Sequence, residues 1–143
     1  LIRLSCKELD ETLDCRISIG IGANDVIRHQ IGNSTGDAFT LSGQGLDSLK
    51  DDYLLIRAFD EEFDNKLALL IQYLDHQINQ LTQRQAAIFL LKIREPELIQ
   101  QQIADLLGAQ RVSISRSLKT ARYDLLAQAI DYVTEEIGGL ING

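Results

Sequence analysis

Arg111, Arg116, Lys119 and Arg122 fall within residues 111–122, a stretch without an acid in a chain whose net charge is −7. Guanidinium groups donate bidentately to guanine edges or phosphates, and an ammonium reaches phosphate as a point charge. Ser115 and Gln110 beside them can meet either a base or the backbone. The asymmetry is local. Residues 1–80 carry the whole net charge of −7, and residues 81–143 are neutral. An anionic partner would therefore meet the second half of the chain.

Those side chains need a rigid carrier, and the surrounding pattern supplies one. With Gln100 taken as the first position of a helix-turn-helix, Ile103 and Ala104 fall fourth and fifth, Gly108 ninth and Ile114 fifteenth. Ala104 must be small where the second helix crosses. Gly108 suits the left-handed conformation that ends the first helix. Ile103, Leu107, Ile114 and Leu118 would form the small core between the helices. Gln110, Arg111, Val112, Ser115, Arg116 and Lys119 are then left on the outward face, where such a helix meets base edges and phosphates. Thr82 and Arg84, near the start of the preceding helix, are candidates for extra backbone contacts.

The elements before and after follow from periodicity. "LIRLSCKEL" reads as the end of a helix, with apolar Leu1, Ile2, Leu4 and Leu9. "DCRISIGIGA" switches to period two, with Ile17, Ile19 and Ile21 on one face and Ser18, Gly20 and Gly22 on the other. Glycines on that second face let a helix or ligand approach the backbone. "NDVIRHQIGNSTGD" reads as a loop with a short strand around Val26–His29. A helix over 37–49 would be capped by Asp37 or Ser34 and bury Ala38, Leu41, Gly45 and Leu49, with Leu46 beside them. "YLLIRAF" reads as a strand. A helix over 60–79 opens on Asp60, Glu61, Glu62 and Asp64, and carries the stripe Leu67, Leu70, Ile71, Leu74 and Ile78.

Three helices complete the chain. The first is capped by Thr82 and stopped by Pro96, and the second runs from about Glu97 to Leu107. The third starts near Arg111 and meets no breaker before Gly138 and Gly139. The expected organisation is α+β: a partial α/β domain over 1–59, a connecting helix over 60–80, and a helix-turn-helix domain over 81–143 with a long C-terminal helix. The helices over 60–79 and 123–137 are candidate dimer seams.

"LTQRQAAIFLLKI…QQIADLLGAQRVSISRSLKTAR" resembles the fourth region of bacterial sigma factors and the helix-turn-helix of response regulators, although "REPELIQQ" lacks the usual glycine turn. "RISIGIGANDVIRHQIGNSTGDAF" resembles class III nucleotidyl cyclase domains, in which a glycine-rich strand leads to a Gly-Asp at a helix start, here Gly36-Asp37. The positions matching that family's catalytic asparagine and arginine are Thr40 and Gln44, so the resemblance implies a degenerate, non-catalytic domain. From about Arg16 to Ile130, with "STGDAFTLSGQGLDSLK" and "LTQRQA…QQIADLLG" as its most specific parts, the chain resembles the SatD family. That resemblance implies a cyclase-like, ferredoxin-like α/β domain before a DNA-binding helix-turn-helix, and a transcriptional regulator. The chain opens on Leu1 and holds no methionine, so an earlier part that would complete the sheet is expected to be missing.

No enzymatic activity, cofactor or metal is expected. Cys6 and Cys15 lack metal-ligand spacing and fit free thiols in a reducing, cytoplasmic compartment, a disulfide between them being the alternative. His29 and His76 stand far apart in sequence. The expected partners are double-stranded DNA and a second copy of the chain, with no membrane, and with a small-molecule effector possible but unidentified. Two rival readings are a protein-interaction adaptor that docks the same outward face on an acidic partner, and a nucleotide-responsive sensor.

Overall fold

The computed structural model describes residues 1–22 and 36–142. The expected strand around Val26–His29, the candidate cap Ser34, and His29 itself lie outside the described residues. The element order is α1 (Ile2–Leu9), β1 (Ile17–Ile21), α2 (Asp37–Ser48), β2 (Leu54–Ala58), α3 (Glu61–Asn79), α4 (Gln83–Arg94), α5 (Gln100–Leu106), α6 (Arg111–Thr120) and α7 (Tyr123–Asn142). The protein is α+β at this coarse level, mostly helical with a two-stranded parallel sheet. Two compact units divide it: Leu1–Cys15 with Gln77–Tyr132, and Arg16–His76 with Val133–Gly143. Residues 1–15, expected with the α/β segment, thus pack in the helical unit.

In the α/β unit, β1 and β2 pair in parallel, Ile17 opposite Leu54 through Ile21 opposite Ala58. A parallel pair needs a crossover, and α2 supplies it. The helix lies on the Ser18/Gly20/Gly22 face so closely that a Cβ built on Gly20 would stand 2.0 Å from the Ala38 carbonyl oxygen. At Gly45 the approach is reciprocal, with a Cβ meeting Ser18 Oγ at 2.2 Å. The period-two glycines are therefore there to admit a helix. Two carboxylates of α3 reach β2: Asp75 Oδ2 accepts from the Tyr53 amide at 2.9 Å and Asp64 Oδ1 from the Ala58 amide at 2.6 Å. Of the expected stripe on α3, Leu67, Ile71 and Leu74 are buried and Leu70 and Ile78 half-buried. Phe63 and Asp75 are buried as well, and periodicity did not single them out.

Two expectations for this unit need correction. The cap of α2 is Gly36 with no side-chain cap bond, and Asp37 is the first helical residue. Leu46 is exposed, because the face meeting the sheet is set by Gly45 and the buried Leu49. On the isoleucine face of β1, Ile17 is half-buried, Ile19 exposed and Ile21 buried.

In the helical unit, α1 packs on α4. Its buried residues are Leu4 with Arg3 and Lys7, whereas Leu1, Ile2 and Leu9 are exposed. Burial of two cations is tolerable because each is partnered. Arg3 forks onto Asp14 with both bonds at 2.8 Å and also donates to Asn79 Oδ1; Lys7 donates to the Asn79 carbonyl at 3.3 Å. The carbonyl at the end of α3 is thereby satisfied by a cation. Burial alone would raise the Asp14 carboxyl. Its hydrogen bonds from Arg3 and the Cys15 amide, with the charges of Arg3 and Lys7, hold it below the usual carboxylate range instead.

Thr82 caps α4 as expected, in a reciprocal box with Gln85. The last expected helix is in fact two. Arg122 takes a left-handed conformation (φ 52°) between α6 and α7, and its carbonyl starts α7 by accepting from the Leu126 amide. The Tyr123 ring meets Phe89 edge-on at 4.8 Å, so packing on α4 sets where the chain turns. Nothing local demanded that turn. Conversely, Gly138 and Gly139 do not stop α7, which runs to Asn142; glycine weakens a helix by only about 1 kcal/mol.

Candidate nucleic-acid interface

The segment between α4 and α5 closes without a glycine. Lys92 Nζ donates to the Pro96 carbonyl at 2.7 Å and to that of Leu98 at 3.1 Å, gathering the loop beneath α4. Helix α5 therefore starts at Gln100 and not at Glu97. Its entry is fixed by Gln102, whose Oε1 accepts the Ile99 amide at 2.9 Å; the Ile99 side chain has no acceptor to return the bond.

At the other end of α5, the Ala109 amide donates to the Ala104 carbonyl at 2.8 Å, and the Gly108 amide to that of Asp105 at 3.4 Å. Gly108 has φ +57°, in the left-handed region. This is the Schellman pattern, with Ala109 turned into the apolar cluster. Ile88, Ile103, Ala104 and Ile114 are wholly buried there, flanked by Leu91, Leu98, Leu107 and Leu118. Ile88 of α4 is the member that sequence spacing did not assign. It makes the hairpin part of a three-helix core.

With Ile114 inward, the helical period sends Gln110, Arg111, Val112, Ser115, Arg116 and Lys119 outward, and all six are exposed. Among the described residues Arg111, Arg116, Lys119 and Arg122 form no ion pair within 4.0 Å. The face is not flat. Arg111, Val112, Ser115, Arg116 and Lys119 line a shallow concavity of about 450 Å³ together with Gln100 of α5. Gln100 belongs to the same surface, and the sequence signal for it was its place as the first helix-turn-helix position. Acids stand nearby on α5 and α7 but outside α6: Asp105 is hydrogen-bonded by Gln101 at 2.9 Å, and Asp124 opens α7.

Of the secondary candidates, Thr82 is engaged in its cap, whereas Arg84 is exposed. In the α/β unit Asp37, Thr40 and Gln44 are all exposed along α2, and His76 is exposed on α3. Cys6 and Cys15 are free thiols. Partial burial, then the hydrogen bond with the Cys6 thiol, pushes the Cys15 thiol above its ordinary range, which makes it a poor nucleophile. Among the described residues no group of three or more His, Cys, Asp or Glu side chains could hold a metal ion. No helix described is long and apolar enough to cross a membrane.

Comparison with protein families, with curated proteins and with solved structures finds no match for this chain.

Proposed function

We propose that α5 and α6 form a helix-turn-helix that binds double-stranded DNA, and that the chain acts as a cytoplasmic transcriptional regulator. One observation carries this reading. The inner side of α6 is committed to the Ile88–Ile103–Ala104–Ile114 core, and its outer side presents three cations that form no ion pair among the described residues, with a hydroxyl and an amide and without an acid of its own. A helix held so rigidly can enter the major groove with its side chains already placed. Arg111, Arg116 and Lys119 would supply phosphate neutralisation and guanine contacts, and Gln110 and Ser115 the adaptable polar ones.

The α/β unit is read as a catalytically degenerate cyclase-like domain of a SatD-type protein, serving sensing or dimerisation. The glycine face of β1 under α2 agrees with that reading, as do Thr40 and Gln44 where a fixed cation would be needed. A homodimer is the expected state, since one recognition helix seldom gives enough affinity and specificity. Leu69 and Tyr73, one turn apart on α3, and Leu125 and Tyr132 on α7 are exposed apolar residues on the two candidate seams.

The test is fluorescence anisotropy with random duplex DNA across a salt series. Wild type should bind at low salt, with log K falling steeply against log salt. Arg116→Ala/Lys119→Ala should flatten that slope by about 2. A folded sample that ignores duplex DNA at low salt would sink the regulator and leave the adaptor, with α6 docked on an acidic protein.

A further inference from the structure

Val112 is the anomaly on the outward face of α6. It is 68% exposed, in the first turn of the helix, and it lies in the concavity ringed by Gln100, Arg111, Ser115 and Arg116. A polar residue would suit a merely solvated position there. An apolar one among hydrogen-bonding side chains suits an apolar group that reaches it from the partner. On the edge of a base pair in the major groove that group is the 5-methyl of thymine, the apolar feature among the donors and acceptors displayed there.

Resting on the DNA reading above, we infer that Val112 recognises the methyl group of a thymine and Arg116 a guanine close to it. The spacing follows from helix geometry. Val112 and Arg116 are one turn apart, about 6 Å along the axis, and successive base pairs rise about 3.4 Å. With α6 lying along the groove, the guanine falls one or two base pairs from the thymine. Arg111 and Lys119, at the two ends of the same concavity, hold the flanking phosphates and contribute little to sequence preference. Ser115, between them, fits either the intervening base or its phosphate.

The test removes one methyl group from the DNA and leaves every hydrogen bond in place. Duplexes that bind the full chain are selected from a random library, and each thymine of the best site is replaced singly by deoxyuridine. One replacement should weaken wild-type binding about fourfold, the worth of one buried methyl-sized group. Val112→Ser should bind the thymine and uracil duplexes alike, and its exposure means that circular dichroism should match wild type. Arg116→Ala should keep the thymine–uracil difference while losing preference for guanine at a neighbouring position. Wild type that binds selected duplexes equally with thymine or uracil at every position overturns this inference and leaves DNA binding standing. So does a Val112→Ser protein that still discriminates. A folded chain that selects no duplex overturns the DNA reading, and this inference with it.

Discussion

Replacing Gly20 by alanine adds one methyl group where α2 crosses β1. The new carbon would stand 2.0 Å from the Ala38 carbonyl oxygen and 2.7 Å from the Ser42 amide nitrogen. Both neighbours are helix backbone, so no side-chain rotation relieves the clash. Real contacts of this kind stay beyond 3.0 Å, so α2 or β1 must shift by roughly 1 Å, a distance at which close packing is lost. Overpacking a core costs about 1–3 kcal/mol when side chains can yield, and here they cannot. Alanine recovers only about 0.5–1 kcal/mol of backbone entropy. A net loss of at least about 2 kcal/mol follows. Gly43 is the internal control. It lies in the same helix with nothing among the described residues within 4 Å of its would-be Cβ, so Gly43→Ala should gain about 0.5–1 kcal/mol.

Urea titration followed by circular dichroism reads both changes, with amide exchange on β1 and α2 to localise them. At a slope of about 1 kcal/mol per molar urea, Gly20→Ala should lower the midpoint of the α/β unit by about 2 M or more, and Gly43→Ala should raise it by less than about 1 M. An alanine at residue 20 that leaves the midpoint and the α2 protection unchanged would refute the close approach. The account of why this strand alternates isoleucine with glycine and serine would fall with it.

Other perturbations follow from the same structure. Gly108→Ala meets no neighbour within 4 Å among the described residues, so its cost is that of the left-handed backbone, about 1–2 kcal/mol; Gly108→Asn should lose distinctly less in thermal melts. Ser18 Oγ is buried without a hydrogen-bond partner among the described residues. Ser18→Ala should therefore stabilise the α/β unit by about 1 kcal/mol in the same urea assay, and a loss would mean that the hydroxyl is satisfied. The Asp14 carboxyl is held low by Arg3, Lys7 and the Cys15 amide against the opposing effect of its burial. Its stabilisation is present above the ordinary carboxylate value and is lost as pH falls through the lower folded one. An acid titration should then show the helical unit weakening below about pH 4, with that component absent in Asp14→Asn. The variant should also be destabilised at neutral pH by about 3–5 kcal/mol, because Arg3 keeps a buried charge whose counter-ion is gone. Identical acid profiles for the two proteins would show that the pair is not what makes the unit acid-sensitive.

Residue types and short spacings by themselves determined much of this protein. Thr82 and Gln85 specify a cap through bonds within four residues, and Gly108 specifies a left-handed turn because other residues adopt that conformation at a cost. The stripe on α3 follows from burial on one face, which depends only on helical period, and the alternation in β1 shows as a period of two. Ile103, Leu107, Ile114 and Leu118 were legible as an inner face for the same reason, and with them the outward set Gln110, Arg111, Val112, Ser115, Arg116 and Lys119. Tertiary structure alone decided where partners distant in sequence meet. Nothing in the spacing of "LIRLSCKEL" marks Arg3 and Lys7 as buried, and Asp14 and Asn79 satisfy them only in the fold. Leu46 reads as core until α2 is seen to meet the sheet through its glycine. The turn at Arg122 is written in no breaker; it is paid for by packing such as that of Tyr123 on Phe89. Gln100 joins the α6 concavity only because Gly108 folds one helix back across the other. Local propensities set which conformations a segment prefers, but burial of a charge or a break in a helix is decided by the free energy of contacts that the chain makes only once folded.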